Sequence, residues 1–384
     1  MAFSFEFKQL TAKARVAAWA ALWGAMAVSC TPTGGDTANS CGRPDLAFAG
    51  DVLLHSLIQS EASRRPEGFA PAFEPLIPAL SQAAVTVVNL EGPAARNVSA
   101  ANRNAQDPGT LFDGQIYAGY PRFNYHPSIA AVLRNAGVDV VQTANNHAMD
   151  RGSLGADRTL SALTEAGLST TGSHPSNSAM ARHAIQQVGG HNLALVACSF
   201  STNGLPDSRS QVLRCYGNSP SIPNLIHSLN AQSTIDGVIL LPHWGTEYSA
   251  RPTARQRRLA QAAADAGAIA IVGSHPHVLQ PLEQLLAADG RRVPVAYSLG
   301  NLISSQWRLE QRTGAILYLD LARDPQGRLH ATDPRYMPTR VERTTDRGVA
   351  VFPAAQIAQG APSVAHAQRI LGAGMVSVNP CVTP

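Results

Sequence analysis

From residue 44 onward the chain repeats one pattern. A short, continuously apolar run stops abruptly at a polar residue and gives way to a helical segment. The runs cover residues 46–51, 85–91, 138–147, 193–198, 238–243, 269–275 and 293–301. Apolarity without alternation predicts strands covered on both faces. Helical patterns over 127–135, 154–166 and 252–266 run up to Gly137, Gly167 and Gly267, and the first begins at Pro127, as helix start and stop chemistry favours. Strand–helix alternation of this kind predicts an α/β fold with a largely parallel sheet.

The residues that end the runs set the chemistry. Six of the seven runs end at or near a carboxylate, amide or imidazole: Asp51, Glu91, Asn145-Asn146-His147, His243, His275 with His277, and Asn301. Ligands of open α/β sheets sit beyond the carboxyl ends of the strands, so these side chains are expected to share one pocket. Mixed oxygen and imidazole donors suit Mn²⁺, Zn²⁺ or Fe²⁺, and the set is large enough for one or two ions. Two ions can clamp the attacking and leaving oxygens of a displacement and generate hydroxide near neutral pH. There is no Gly-x-Ser-x-Gly elbow, phosphate-binding Gly-x-x-x-x-Gly-Lys loop or Gly-x-Gly-x-x-Gly fingerprint, which argues against a serine hydrolase or nucleotide-dependent enzyme.

The amino terminus reads as an export signal. Lys8, Lys13 and Arg15 precede the apolar run Val16-Ala-Ala-Trp-Ala-Ala-Leu-Trp-Gly-Ala-Met-Ala-Val28, the pattern of a secretory signal and too short to span a bilayer. Ala27-Val-Ser-Cys30 resembles a bacterial lipobox, making Cys30 the expected lipidation site and residues 1–29 a lipoprotein-type signal. Residues 30–43 form a polar tether. The remaining cysteines are Cys41, Cys198, Cys215 and Cys381, an even number that suggests disulfides in an exported chain. Cys198 with Cys215 is the favoured pair, and Cys41 with Cys381 would join the domain ends. The net charge of +4 includes +2 from the export segment, and the other basic residues are scattered arginines, so no nucleic-acid partner is expected. The expected location is outside the cytoplasmic membrane, lipid-anchored and facing the periplasm or the cell surface.

Six motifs in order carry a more specific resemblance. Gly50-Asp51-Val-Leu-Leu, Asn89-Leu-Glu-Gly92, Thr143-Ala-Asn-Asn-His-Ala-Met-Asp-Arg-Gly152, Pro242-His-Trp-Gly-Thr-Glu-Tyr248, Gly273-Ser-His-Pro-His-Val-Leu-Gln280 and Tyr297-Ser-Leu-Gly-Asn301 resemble the CapA capsule-synthesis family. That family is associated with poly-γ-glutamate and is similar to the calcineurin-like metallophosphoesterases. The resemblance implies a calcineurin-like two-sheet sandwich flanked by helices. It also implies metal ligation by Asp51, Glu91, Asn146, His243, His275 and His277, with Glu91 bridging and Asp51 and His147 in catalysis. His55, Asn145, Trp244, Glu247 and Asn301 become candidates for touching substrate or orienting ligands. Two departures stand out: Leu53 replaces the His of related phosphoesterases, and Glu91 replaces an Asp. Pro276 restricts His275 to non-helical backbone, which lets both neighbouring imidazoles face one site.

Two functions follow from this resemblance. One is a metal-dependent hydrolase acting on a phosphoester or on a γ-glutamyl or other amide bond. The other is a non-catalytic, surface-anchored binding or assembly factor for an anionic polymer. The main domain is expected over 44–305, a hairpin completing it over 306–345, and a tail over 346–384 with a surface helix at 364–371.

Overall fold

The computed structural model describes residues 42–178, 183–218, 220–372 and 374. The export segment, Cys30, Cys41 and Cys381 lie outside the described residues. Strands β1 (Leu46–Val52), β2 (Val85–Leu90), β3 (Val140–Gln142) and β4 (Ser169–Thr171) run parallel in one sheet. The second sheet holds β5 (His183–Val188), β6 (His191–Ser199), β7 (Gly237–His243), β8 (Ala268–Val272), β9 (Leu279–Leu286) and β10 (Arg292–Leu299). Its spatial order is β5-β6-β7-β8-β10-β9, with a parallel centre and antiparallel edges. The chain then returns to the first sheet. β11 (Asn301–Ile303) pairs parallel with β1, and β12 (Thr313–Arg323), β13 (Leu329–Thr344) and β14 (Gly348–Pro353) extend the sheet antiparallel from β1.

Helices α1 (Ser56–Ser63), α2 (Ala70–Phe73), α3 (Ile77–Leu80) and α4 (Ser128–Asn135) pack on the outer face of the first sheet, and α5 (Gly152–Glu165) lies beside β4. Helices α6 (Ile222–Asn230) and α7 (Ala254–Asp265) cover the outer face of the second. Side-chain alternation along the strands produces this layering. In β1, Ala47 and Ala49 face the helices while Leu46 and Phe48 face the other sheet. In β7, Val238 and Leu240 face the helices while Ile239 and Leu241 face inward. Three apolar layers therefore lie between four structural layers, which is why the strands read as unbroken apolar runs.

The expected two-sheet α/β sandwich is observed, and the hairpin β12–β13 turns at Asp324–Gly327. The helix expected on the surface over 364–371 behaves differently. It forms α8 (Ala361–Leu371), and Ala367 and Leu371 are buried in the apolar layer between the sheets. Its polar face hid this role, because only a narrow stripe reaches the core.

Gly50 packs against Gly300, where the chain passes from β10 to β11. A Cβ there would lie 1.9 Å from the Gly300 carbonyl oxygen, which already accepts the Asp51 N–H at 3.0 Å. Neither backbone can retreat without moving Asp51. Gly50→Ala is expected to cost about 3 kcal/mol, the upper range for overpacking, read as a lowered midpoint in urea unfolding.

Candidate metal centre

Strand register assembles the site. Asp51 sits opposite Asn89 on β2 and Asn301 on β11. In the second sheet Ser199 is opposite His243, and His243 bridges to Ser274. The donor-bearing ends of five strands thus meet at one end of the sandwich. The His275-Pro276-His277 turn then brings two more imidazoles over it. Both histidines have left-handed backbone, with φ of 100° at His275 and 58° at His277. Such conformations cost on the order of 1–3 kcal/mol each and persist only where the surroundings impose them. Here Asn301 donates its Nδ2 to the His277 carbonyl at 3.3 Å, and the His275 N–H reaches Asp51 Oδ2 at 3.4 Å.

Three overlapping groups of side chains can hold a metal ion: Glu91 with His243 and His275, Glu247 with His275 and His277, and Asp51 with Glu91 and His277. Within each group the ligand atoms lie within 4.8 Å of one another. His277 Nδ1 is 3.1 Å from Asp51 Oδ2, and its Nε2 is 3.6 Å from Glu91 Oε1. His243 Nε2 is 3.5 Å from the same Glu91 oxygen. All but Glu247 are buried. The donor set fits a divalent cation on a separate ground. Both Glu91 carboxylate oxygens and His275 Nδ1 are buried without a hydrogen-bond partner, and a buried carboxylate without donors needs a nearby positive charge.

The electrostatics agree. Burial alone would raise the Glu91 pKa, but His277, His243 and His147 together hold it well below the usual carboxylate range. Burial opposes protonation of His277, yet Glu91 and Asp51 push it up to about 9. Burial and the neighbouring His243 take His275 down to about 2, leaving a neutral donor. Burial and His277 likewise take His55 down to about 4. Glu91 and Asp51 thus set a negative field at His277, while burial keeps His275 a neutral donor.

The remaining expected residues take varied places. His147 Nδ1 pairs with Asp150 Oδ2 at 2.8 Å, and its ring packs edge-on against Phe123. Asp150 overcomes burial to raise the His147 pKa. Asn146 Oδ1 lies 2.8 Å from His243 Nε2, which keeps it beside the candidate ligands. Asn145 donates to the Leu90 carbonyl at 2.7 Å and fixes the strand end that carries Glu91. His55 precedes α1, accepts from the Ser305 N–H at 3.4 Å and belongs to none of the three groups. Leu53, where related phosphoesterases carry a His, is buried in apolar packing. Trp244 does not line the opening: it lies in the apolar layer under α6 and α7, stacks with Tyr297 and donates its indole N–H to the Tyr297 carbonyl. Glu247 is exposed.

Three positioning residues escaped the sequence reading. Asn89 donates to Asp51 Oδ1 at 2.8 Å, Ser274 meets His243 Nδ1 at 2.9 Å, and Asp150 orients His147. Each lies within a quoted motif, and the i, i+3 spacing of His147 and Asp150 is a readable signal. The loop bearing Glu247 is held in turn by Gln280, which donates to the Ser249 carbonyl at 2.7 Å and accepts from Gln256 at 2.8 Å.

The favoured Cys198–Cys215 disulfide is formed, closing a span of 17 residues. The loop it closes carries Phe200, whose ring lies 4.5 Å from that of His275, and Asn203, which accepts from Asn146. Replacing both cysteines by alanine is expected to cost about 3 kcal/mol, the loop-closure scale for such a span. The measurement is thermal unfolding with and without added Mn²⁺, and the metal-dependent gain should shrink because the loop rests on the cluster.

Two sheets, flanking helices and a buried carboxylate–imidazole cluster at the carboxyl ends of the strands define a class: an α/β sandwich with a candidate metal site. Residues 45–306 match the family described as "Bacterial capsule synthesis protein PGA_cap"; the chain belongs to that family. It is 34% identical over 208 residues to the "PGA biosynthesis protein CapA" of Bacillus subtilis strain 168, covering 52% of this chain and 52% of that protein. It is 30% identical over 243 residues to the "Capsule biosynthesis protein CapA" of Bacillus anthracis, covering 59% of this chain and 56% of that one. The match thus spans little more than half of either relative. The NAD nucleotidase of Haemophilus influenzae aligns with 86% of this chain and 56% of its own at a TM-score of 0.46 and 15% identity.

Proposed function

We propose that this protein is a metal-dependent hydrolase acting outside the cytoplasmic membrane on an anionic capsular polymer or its precursor, at a phosphoester or an amide bond. The observation that carries the reading is Glu91: a fully buried carboxylate faced by imidazoles at 3.5 Å and 3.6 Å, at the meeting point of two candidate ligand groups. Asp51, Glu91, His243, His275 and His277 would hold one or two Mn²⁺, Zn²⁺ or Fe²⁺ ions. When bound, a divalent ion supplies Lewis acidity to the electrophile and acidifies the attacking water. The chain supplies the rest. His147, whose pKa Asp150 raises against burial, would carry the proton for the leaving group. The Phe123 ring packs edge-on against the His147 imidazole and fixes its orientation. Asn89 and Asn301 keep Asp51 and the His275-Pro276-His277 turn in place.

The test uses the full chain, stripped with a chelator and reloaded with each metal. Ion content is measured after desalting, and turnover is followed on bis-p-nitrophenyl phosphate and on poly-γ-glutamate. Retained metal with turnover is the expected result. No retained divalent ion would end the hydrolase reading. Retained metal without turnover, together with polymer retention, would turn it into a binding or assembly factor.

Membrane attachment through a lipid on Cys30 belongs to the same proposal, supported by the Ala27-Val-Ser-Cys30 motif behind an apolar run. Two or three acyl chains give the stable anchoring that one does not. Cys30→Ala is expected to move the protein from the membrane fraction to a soluble fraction in its native host. Unchanged membrane association would remove the lipid anchor from the account.

A further inference from the structure

The three candidate ligand groups share their imidazoles. His275 groups with Glu91 and His243, and also with Glu247; His277 groups with Asp51 and Glu91, and also with Glu247. Asp51, Glu91 and His243 are fully buried, and His275 and His277 are each 3% exposed. Among these six side chains only Glu247 is exposed. The one ligand carboxylate that solvent reaches is therefore also the one that must borrow both of its imidazoles from the buried groups. Its place is fixed by the backbone. The N–H of the next residue, Tyr248, donates to the Pro276 carbonyl at 2.8 Å, in the middle of the turn that presents both histidines. On the other side of the loop Gln280 donates to the Ser249 carbonyl at 2.7 Å.

Sharing has a consequence. A neutral imidazole has one nitrogen with a free lone pair, so it ligates one ion at a time. With both buried groups filled, His275 and His277 are engaged inward and Glu247 has no imidazole left to share. The outer group can fill only while a buried group is empty. That is the behaviour of a point of passage, not of a resting site.

We infer that Glu247 is a port ligand: with His275 and His277 it takes a divalent cation from solvent and passes it inward, as each imidazole comes to share the ion with Glu91 or Asp51 in place of the rim carboxylate. This rests on the reading of the cluster as a metal centre, and it adds how that centre is loaded. Charge favours the inward step. The outer group has one solvated carboxylate, whereas the group of Asp51, Glu91 and His277 has two, both fully buried, and attraction strengthens as water is excluded. A negative group at the mouth of a cleft also raises the local cation concentration and the on-rate, by about 10–10³-fold.

The experiment follows exchange of bound Mn²⁺ against radioactive Mn²⁺ in solution, for the full chain and for Glu247→Gln, with the dissociation constant of each from equilibrium dialysis. The substitution keeps the side chain's volume at an exposed position, and circular dichroism verifies the fold. A group used only in passage speeds uptake and release alike. Exchange in the variant is therefore expected to be about tenfold slower, the low end of that on-rate range, at an unchanged dissociation constant. Faster exchange with weaker binding would make Glu247 a resting ligand and overturn the inference, and so would exchange at the parent's rate. The readout requires no turnover. A parent that holds no Mn²⁺ takes the metal reading down and this inference with it, whereas a parent that holds Mn²⁺ beside a variant that exchanges as fast removes the port alone.

Discussion

Glu91→Gln is expected to strip the centre of its metal and lower turnover by at least about 100-fold. Loss of a group that merely orients a ligand already costs about 10–100-fold, and Glu91 belongs to two of the three candidate ligand groups. The substitution preserves volume, so packing around β2 survives. What changes is the charge, together with an amide N–H₂ placed among imidazoles that already need acceptors. Ion content per chain and the steady-state rate are the measurements. Glu247→Gln is the natural contrast, because Glu247 is exposed and enters one group only, so its effect should be much smaller. Full metal content and near-parent turnover in Glu91→Gln would show that the buried carboxylate has another purpose.

The second large effect concerns His147. His147→Ala is expected to reduce turnover by about 10²–10⁴-fold, the range for a positioned general acid, while metal content stays at the parent level because His147 lies outside the three candidate ligand groups. The pH profile then separates donation of a proton from a structural role. Asp150 raises the His147 pKa through its hydrogen bond and charge, against burial. An acid must be protonated to act, so the rate falls as pH rises through that raised value. Asp150→Asn removes the charge and weakens the hydrogen bond to that of a neutral amide oxygen, and the alkaline limb of kcat/KM should move to lower pH. A limb that stays in place in Asp150→Asn would take the leaving-group proton away from His147.

Much of this centre is legible before any coordinates. Asp51, Glu91, His243 and His275 could be singled out because each interrupts an apolar run that has no local reason to stop at a metal-binding side chain. His277 could be added because Pro276 bars helix at its neighbour. The resemblance makes Trp244 a candidate for touching substrate or orienting a ligand, which its position in the fold contradicts. Alternation on a strand end sends adjacent side chains to opposite faces, and Trp244 went to the helix-covered one. Asn146, singled out with His147 in one motif, does reach the centre, its Oδ1 2.8 Å from His243 Nε2. Asn89 was passed over because a polar residue inside an apolar run reads as a local exception; only the pairing of β1 with β2 brings it to Asp51. The burial of α8 is illegible for a similar reason, since a short helix with only three large apolar residues, Val364, Ile370 and Leu371, gives no sign of which layer will receive them.

By itself the chain's order of residues determined that many two-faced strands would form and that their ends would bear oxygen and imidazole donors; it favoured Cys198 with Cys215 without fixing the pairing, which the fold decided. Only the tertiary structure decided which strands share a sheet, that the chain leaves the first sheet after β4 and rejoins it at β11, and which donors meet. A strand buried on both faces has no sequence feature naming its neighbour. Its partners and register come from long-range packing of whole layers, and the distance between Asp51, Glu91 and three imidazoles follows from that packing.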